Sequence, residues 1–110
     1  MNKETLIDIL TSKSKNKLNE FREKYKKDIR RLIKQKKFEE LENCDVSFIK
    51  DFSGLFSHSK IKSLKYLRKW NVKNGKDFSE MFYKCSNLKS LKGLEKWDVH
   101  NGIDFRYMFY

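Results

Sequence analysis

The same phrase is written twice in this chain: WNVKNGKDFSEMFY over Trp70–Tyr83 and WDVHNGIDFRYMFY over Trp97–Tyr110. A looser third copy, CDVSFIKDFSGLF, begins at Cys44, so the period is 26 and then 27 residues, with the extra residue in the loop YKCSN. The tails repeat as well, IKSLKYLRK from Ile61 pairing with LKSLKGLEK from Leu88. Val46, Val72 and Val99 fall in one phase, as do Asp51, Asp77 and Asp104, then Phe52, Phe78 and Phe105, then Phe56, Phe82 and Phe109. A period of this length makes each copy one structural unit. A single unit cannot bury its own apolar edge, so neighbouring units are expected to stack as a solenoid. The expected units are 44–69, 70–96 and 97–110, preceded by a separate segment, 1–43.

Within a unit, DFSEMF begins with Asp, a good N-cap, followed by Phe78, Met81 and Phe82 at helical spacing, which predicts one or two short turns of helix. The Asp column therefore reads as three caps rather than as paired catalytic carboxylates. LKSLKGL reads as a short strand, with Leu88, Leu91 and Leu94 inward and Lys89 and Lys92 outward, so Ile61–Leu64 and Leu88–Leu91 are expected to pair as neighbouring parallel strands. Asn74-Gly75 and Asn101-Gly102 are turn dipeptides expected to supply a positive φ before each helical turn.

The combined string, W-(D/N)-V-x-N-x-x-D-(F/M)-x-x-M-F-x-x-C-x-x-L-x-x-L, resembles the repeat of BspA-like leucine-rich-repeat proteins. The resemblance covers Asp45 to Tyr110 and is strongest at Trp70, Val72, Asn74, Asp77, Met81, Phe82, Cys85, Leu88 and Leu91. It weakens in the first unit, where Cys44 replaces Trp and Phe48-Ile49 replaces Asn-Gly. It implies a binding habit and an α+β fold: a short leucine-rich-repeat-like solenoid of about three coils, with parallel strands plus short helical turns, capped by N-terminal α-helices. Such families are usually long, exported arrays that bind host proteins or surfaces. That adhesin role is not expected here, with fewer than three full coils, a helical front end and no apolar run suited to an export signal.

The front segment reads as helical. ETLIDIL gives an apolar turn or two, TSKSKN a polar break in which Ser12 or Ser14 can act as N-cap, and a longer helix follows. Its apolar stripe is Leu18, Phe21, Tyr25, Ile29, Leu32 and Ile33, with Phe38 and Leu41 in a further short helix. The stripe is expected to pack on the first coil as a cap. The opposite face is basic: between Lys13 and Lys37 stand twelve Lys or Arg against Glu20, Glu23 and Asp28, with Lys27, Arg30, Arg31 and Lys34 inside two turns.

The net charge of +11 points to acidic partners. Composition supplies a second cause, because a chain without Pro or Ala and rich in Lys, Asn, Phe and Ile is what an AT-rich coding sequence writes. Chemistry is not legible. His58 and His100 lie in different phases without the ligands a zinc site wants, Cys44 and Cys85 read as reduced and partly buried, and no phosphate loop or nucleophile–base pair is visible. No enzyme, cofactor or metal is expected.

The candidate contacts are therefore surfaces. Stacking sets Lys62 beside Lys89, Lys65 beside Lys92 and Lys69 beside Lys96, a basic stripe. No polar capping unit is expected over the third coil, so Tyr107, Met108, Phe109 and Tyr110 form an apolar end, to be covered by a homodimer through the C-terminal coils or by a heterologous partner. The function expected is a non-enzymatic, cytoplasmic protein-binding module whose partner has an acidic surface. One specific form is an inhibitor carried by a phage or mobile element, such as an anti-CRISPR protein acting on a nucleic-acid-guided nuclease in the host cytoplasm. The alternative is direct nucleic-acid binding, with the basic helix face and lysine ladders on phosphates and Tyr25, Tyr66, Tyr83 or Trp70 stacking on bases.

Overall fold

The computed structural model describes the backbone of residues 3–110 and the side chains of residue 17 and residues 19–110. Helix α1 spans Lys3–Lys34 without interruption. The break expected at TSKSKN is absent, so Ser12 and Ser14 lie inside the helix and not at its N-terminal boundary. The reason is that no Pro or Gly occurs between residues 3 and 34, and a serine in a helix interior costs only a few tenths of a kcal/mol, roughly, against its neighbours. The helix ends where Lys36 takes a left-handed φ of 59°. There the Lys37 N–H donates to the Leu32 carbonyl (2.9 Å) and the Lys36 N–H to the Ile33 carbonyl (3.0 Å), a Schellman closure made with lysine instead of glycine. A 3₁₀ helix, Phe38–Asn43, follows, and a second, Lys65–Leu67, lies in the first repeat.

The parallel-strand solenoid does not form. The β-pairing among the described residues is limited to two isolated parallel bridges, Asp51 to Asp77 and Asp77 to Asp104. No backbone hydrogen bond joins Ile61–Leu64 to Leu88–Leu91. The spacing explains this. Ile61, Leu64 and Leu67, like Leu88, Leu91 and Leu94, recur every third residue, whereas a half-buried strand needs alternation every second. Ser63 and Ser90 instead turn the chain by accepting the N–H of Lys65 (3.2 Å) and Lys92 (3.1 Å) on their hydroxyls, and the Leu67 N–H returns to the Leu64 carbonyl (2.9 Å). Ile61, Leu64 and Leu67 are buried, but Leu91 is 52% exposed and Leu88 and Leu94 only partly covered.

The connection between repeats runs through the segments expected to be helical. N–H groups of Phe52, Gly54, Phe56 and His58 donate to the carbonyls of Asp77, Ser79, Met81 and Tyr83 at 2.8–2.9 Å. Those of Phe78, Glu80, Phe82 and Lys84 donate to the carbonyls of Asp104, Arg106, Met108 and Tyr110 at 2.8–3.0 Å. A helix would turn these groups inward along its own axis; here alternate ones point sideways to the next repeat. Two local features enforce that. Each Asp carboxylate holds the N–H two residues on, Asp51 that of Ser53 (2.9 Å), Asp77 that of Ser79 (2.9 Å) and Asp104 that of Arg106 (3.0 Å). Three residues after each Asp the backbone is left-handed, at Gly54 (63°), Glu80 (56°) and Tyr107 (56°), which ends any helical run. The Asp column therefore makes Asx turns, not helix caps.

Identical side chains sit on one another across the layers. Phe52, Phe78 and Phe105 form a column with centroids 5.4 and 5.3 Å apart and ring planes within 5°. Phe56, Phe82 and Phe109 form another at 5.4 and 5.5 Å, and the Trp70 and Trp97 rings are parallel at 6.5 Å. The indole N–H of Trp70 donates to the Leu41 carbonyl (2.8 Å) and that of Trp97 to the Leu67 carbonyl (2.9 Å). Asn74 and Asn101 each donate to a carbonyl of the layer before, Ser47 (2.7 Å) and Lys73 (2.8 Å).

The glycines of the two NG pairs are needed for a different reason than expected, since neither has a positive φ. A Cβ on Gly75 would collide with the rings of Phe78 and Phe52, and one on Gly102 with the ring of Phe105. Close approach of an aromatic ring selects them. Gly93, like Gly54, has a positive φ (116°), and in addition the Leu64 backbone stands where its Cβ would be.

Candidate interaction surface

Helix α1 lies on the first layer. Ile29 and Ile33 are buried in the core, and Tyr25 and Phe21 meet Phe48 at centroid distances of 5.1 and 5.4 Å. Phe21 is nonetheless more than half exposed, and the Leu18 side chain lies outside the described residues. Sequence reasoning passed over Lys26, which stands inside the stripe. It is 6% exposed, with Nζ 3.4 Å from the Asp51 carboxylate. The signal was its position three residues before Ile29, on the buried face. Burial pushes the Asp51 carboxyl up, but hydrogen bonds from the Ser53 side chain and backbone, together with Lys26, outweigh it and leave the group below its ordinary value.

The four cations singled out on α1 face solvent. Arg31 pairs with Asp28 one turn away (3.5 Å). Arg30 and Lys34 line a cleft with Ile33, Lys36, Gly54, Leu55 and Ser57, while Lys27 lies on another side with Glu20, Glu23 and Lys24. The helix face is thus divided between two places rather than gathered in one.

The lysine stripe is partly assembled. Lys65, Lys69, Lys92 and Lys96 line one open groove of about 940 Å³ with Arg68, Ser63, Gly93 and Glu95. Glu42 of the 3₁₀ helix Phe38–Asn43 draws two of its cations toward that helix, Arg68 at 3.4 Å and Lys69 at 3.8 Å. Lys89 lines a different groove, of about 780 Å³, with His58, Lys60, Lys84, Leu88, Leu91, Phe109 and Tyr110. Lys62 is exposed and lines neither groove.

The third layer is the most unusual surface. Ile103 (78%), Phe105 (41%), Tyr107 (60%), Phe109 (48%) and Tyr110 (73%) are each exposed, and Leu91 lines one groove with Phe109 and Tyr110. Met108, expected among them, turns into the core instead. Tyr110 stacks on Tyr83 at 5.7 Å and meets Tyr107 edge-on at 5.7 Å. Arg106 closes on Asp104 through Nε (3.1 Å) and a terminal nitrogen (2.8 Å), and these hydrogen bonds hold the Asp104 carboxyl below its ordinary value.

The two cysteines are free; burial raises both thiols, and Cys85 donates its S–H to the Phe56 carbonyl (2.9 Å). Among the described residues, no three His, Cys, Asp or Glu side chains come together as a metal site would require. Nor is any helix of those residues long and apolar enough to cross a membrane.

A family model described as Mycoplasma protein of unknown function, DUF285, matches residues 14–110. The chain belongs to this family. The match overturns the resemblance to BspA-like leucine-rich-repeat proteins: the family found is DUF285, and the parallel strands that a leucine-rich repeat would carry are missing. No curated protein and no solved structure matches the chain. The DUF285 match takes in all three repeats and α1 from residue 14 onward, so the helix and the layers it covers fall within one family unit.

Proposed function

We propose that this DUF285 chain is a non-enzymatic protein-binding module whose contact surface is the third layer. The observation that carries the reading is the exposure of Phe105, Tyr107, Phe109 and Tyr110 within residues 105–110, with Tyr107 against Tyr110 and Leu91 sharing a groove with Phe109 and Tyr110. Large apolar patches on a soluble face mark association sites, and aromatic side chains dominate the cores of protein interfaces. Lys84 and Lys89, which share a groove with Phe109 and Tyr110, form a charged rim that favours a partner with acidic residues around an apolar centre.

A second reading rests on the groove lined by Lys65, Arg68, Lys69, Lys92 and Lys96. Five cations along one groove suit a phosphate backbone. The two readings use different faces and separate cleanly. Partner capture from nuclease-treated lysate, run in parallel with Phe109→Glu and with a Lys65→Glu/Lys92→Glu/Lys96→Glu triple variant, decides between them. Loss of a captured protein with the first variant and its retention with the second supports the third layer. Loss only with the triple variant, together with a gel shift that collapses with rising salt, supports nucleic acid.

A further inference from the structure

The third layer is not merely apolar; it has a hydrogen-bonding sense. At both interior steps, alternate N–H groups of one layer donate to alternate carbonyls of the next. In the third layer the equivalent donors are the N–H groups of Phe105, Tyr107 and Phe109, and none has a partner among the described residues. The carbonyls of Phe105 and Tyr107 are already taken, by the N–H groups of Met108 (3.3 Å) and Tyr110 (3.4 Å). The edge therefore offers donors at every second residue and asks for acceptors in the same rhythm. Above it, the rings of Phe105 and Phe109 each stack on one neighbour and leave the other face open.

We propose that the third layer docks a repeat segment of another polypeptide, of the Asp-Phe-x-x-Met-Phe type, laid parallel to residues 104–110. Its alternate carbonyls would accept from Phe105, Tyr107 and Phe109, and its two phenyl rings would lengthen the two Phe columns. The proposal rests on the protein-binding reading and names the chemistry of the partner; the mode is strand addition carried over to a ladder of turns. A second copy of this chain fits poorly in either orientation. Tail to tail, a two-fold axis sets donors against donors. Head to tail, the copy would have to offer its first layer, and that is where α1 lies, with Lys26 on Asp51 (3.4 Å), Tyr25 against Phe48 and Arg30, Ile33 and Lys34 sharing a cleft with Gly54, Leu55 and Ser57. The partner is thus a repeat chain whose first layer is uncovered.

The test is amide hydrogen exchange read by NMR on the full chain, with a synthetic peptide of the sequence of residues 76–88 carrying Cys85→Ser. Saturating peptide should slow exchange at Phe105, Tyr107 and Phe109 by about tenfold or more while leaving Phe78, Glu80 and Phe82 as they were. The same peptide with Phe78→Ala and Phe82→Ala should not. Because a free peptide must be ordered as it binds, a second arm joins it to Tyr110 through a flexible Gly/Ser linker, raising its effective concentration. Three open amides in both arms overturn the proposal. So does protection that grows with the concentration of the chain alone, which reports tail-to-tail self-association. A captured protein that depends on Phe109 yet leaves these amides open keeps the protein-binding reading and removes the ladder. Amides that close on the peptide in a chain with no Phe109-dependent partner keep the ladder and remove the wider reading.

Discussion

If stacked identity holds the molecule together, its cost must depend on position along a column. Phe78 is fully buried and sandwiched, with Phe52 5.4 Å to one side and Phe105 5.3 Å to the other. Phe105 carries the same side chain with one ring neighbour, and 41% of it faces solvent. Truncating a buried Phe costs about 3–5 kcal/mol through lost transfer and the cavity left behind. At Phe105 part of the transfer term is already forfeited and no closed cavity forms, so about 1–2 kcal/mol is expected. Against a total stability of about 5–15 kcal/mol, Phe78→Ala approaches the limit of folding. Phe78→Leu is the safer probe: it nearly keeps the volume but loses two ring pairs, each contributing about 0.5–1.5 kcal/mol. Urea unfolding of wild type, Phe78→Leu, Phe78→Ala and Phe105→Ala, compared at constant m-value, measures the differences. Equal costs at Phe78 and Phe105, or a Phe78→Ala cost below about 1.5 kcal/mol, would refute the reasoning, since burial and stacking would then not set the energy.

Three further outcomes follow from the geometry. Gly75→Ala should destabilise by about 1–3 kcal/mol through overpacking against Phe78 and Phe52, and a double-mutant cycle should recover part of that cost in the Phe78→Leu background. The Asp51 carboxyl lies below its ordinary value in the folded chain, so its stabilising contribution is complete above about pH 4, the unfolded value, and is lost as pH falls through the folded one; the urea midpoint should drop on acidification by less in Asp51→Asn than in wild type. Replacing Lys27, Arg30, Arg31 and Lys34 with Glu should leave the thermal midpoint nearly unchanged, because these cations face solvent and the Arg31–Asp28 pair is exposed; a large loss would mean the helix is held to the first layer by charge.

What the sequence revealed and what it hid divide along a physical line. The columns were legible because stacking places identical residues in contact, which is why Phe, Trp, Asn and Asp recur in phase. Backbone conformation was not, because the motif is ambiguous in period. Asp followed by apolar residues three and four apart suits a helix cap and equally suits an Asx turn feeding a lateral ladder, and the left-handed residue at Glu80 or Tyr107 gives no sign of itself as glycine does at Gly54. Leu88, Leu91 and Leu94 were read as alternating although their spacing is three. The serines of TSKSKN suggest a boundary that a helix with no Pro or Gly does not need. Among the candidate contacts, Phe105 and Lys26 went unnoticed: one is a column residue that lacks a neighbour on one side, the other a lysine whose partner, Asp51, lies in the first repeat.

Subtracting what the fold consumes narrows what is left for function. Trp70, Trp97, Asn74 and Asn101 spend their polar atoms on carbonyls of the preceding layer or of the 3₁₀ helix. Asp51, Asp77 and Asp104 spend theirs on turns, and Cys85 on Phe56. The aromatic residues that seemed available for stacking on bases are occupied as well, Tyr83 between His58 and Tyr110, Tyr25 against Phe48, Tyr66 against Phe38, and Trp70 inside the core. That takes those four residues out of a base-stacking surface, and the groove lined by Lys65, Arg68, Lys69, Lys92 and Lys96 holds no aromatic side chain, so nucleic acid bound there would be held by charge, which reads backbone and not sequence. What is left among the described residues includes the groove lysines Lys92 and Lys96, which enter no ion pair, and the outer ring faces and amides of the third layer. Of these, the third layer alone presents donors at fixed spacing and rings in fixed planes. On the proposed protein-binding reading, selectivity would reside there, and the lysines beside it would govern how fast a partner arrives rather than which partner is kept.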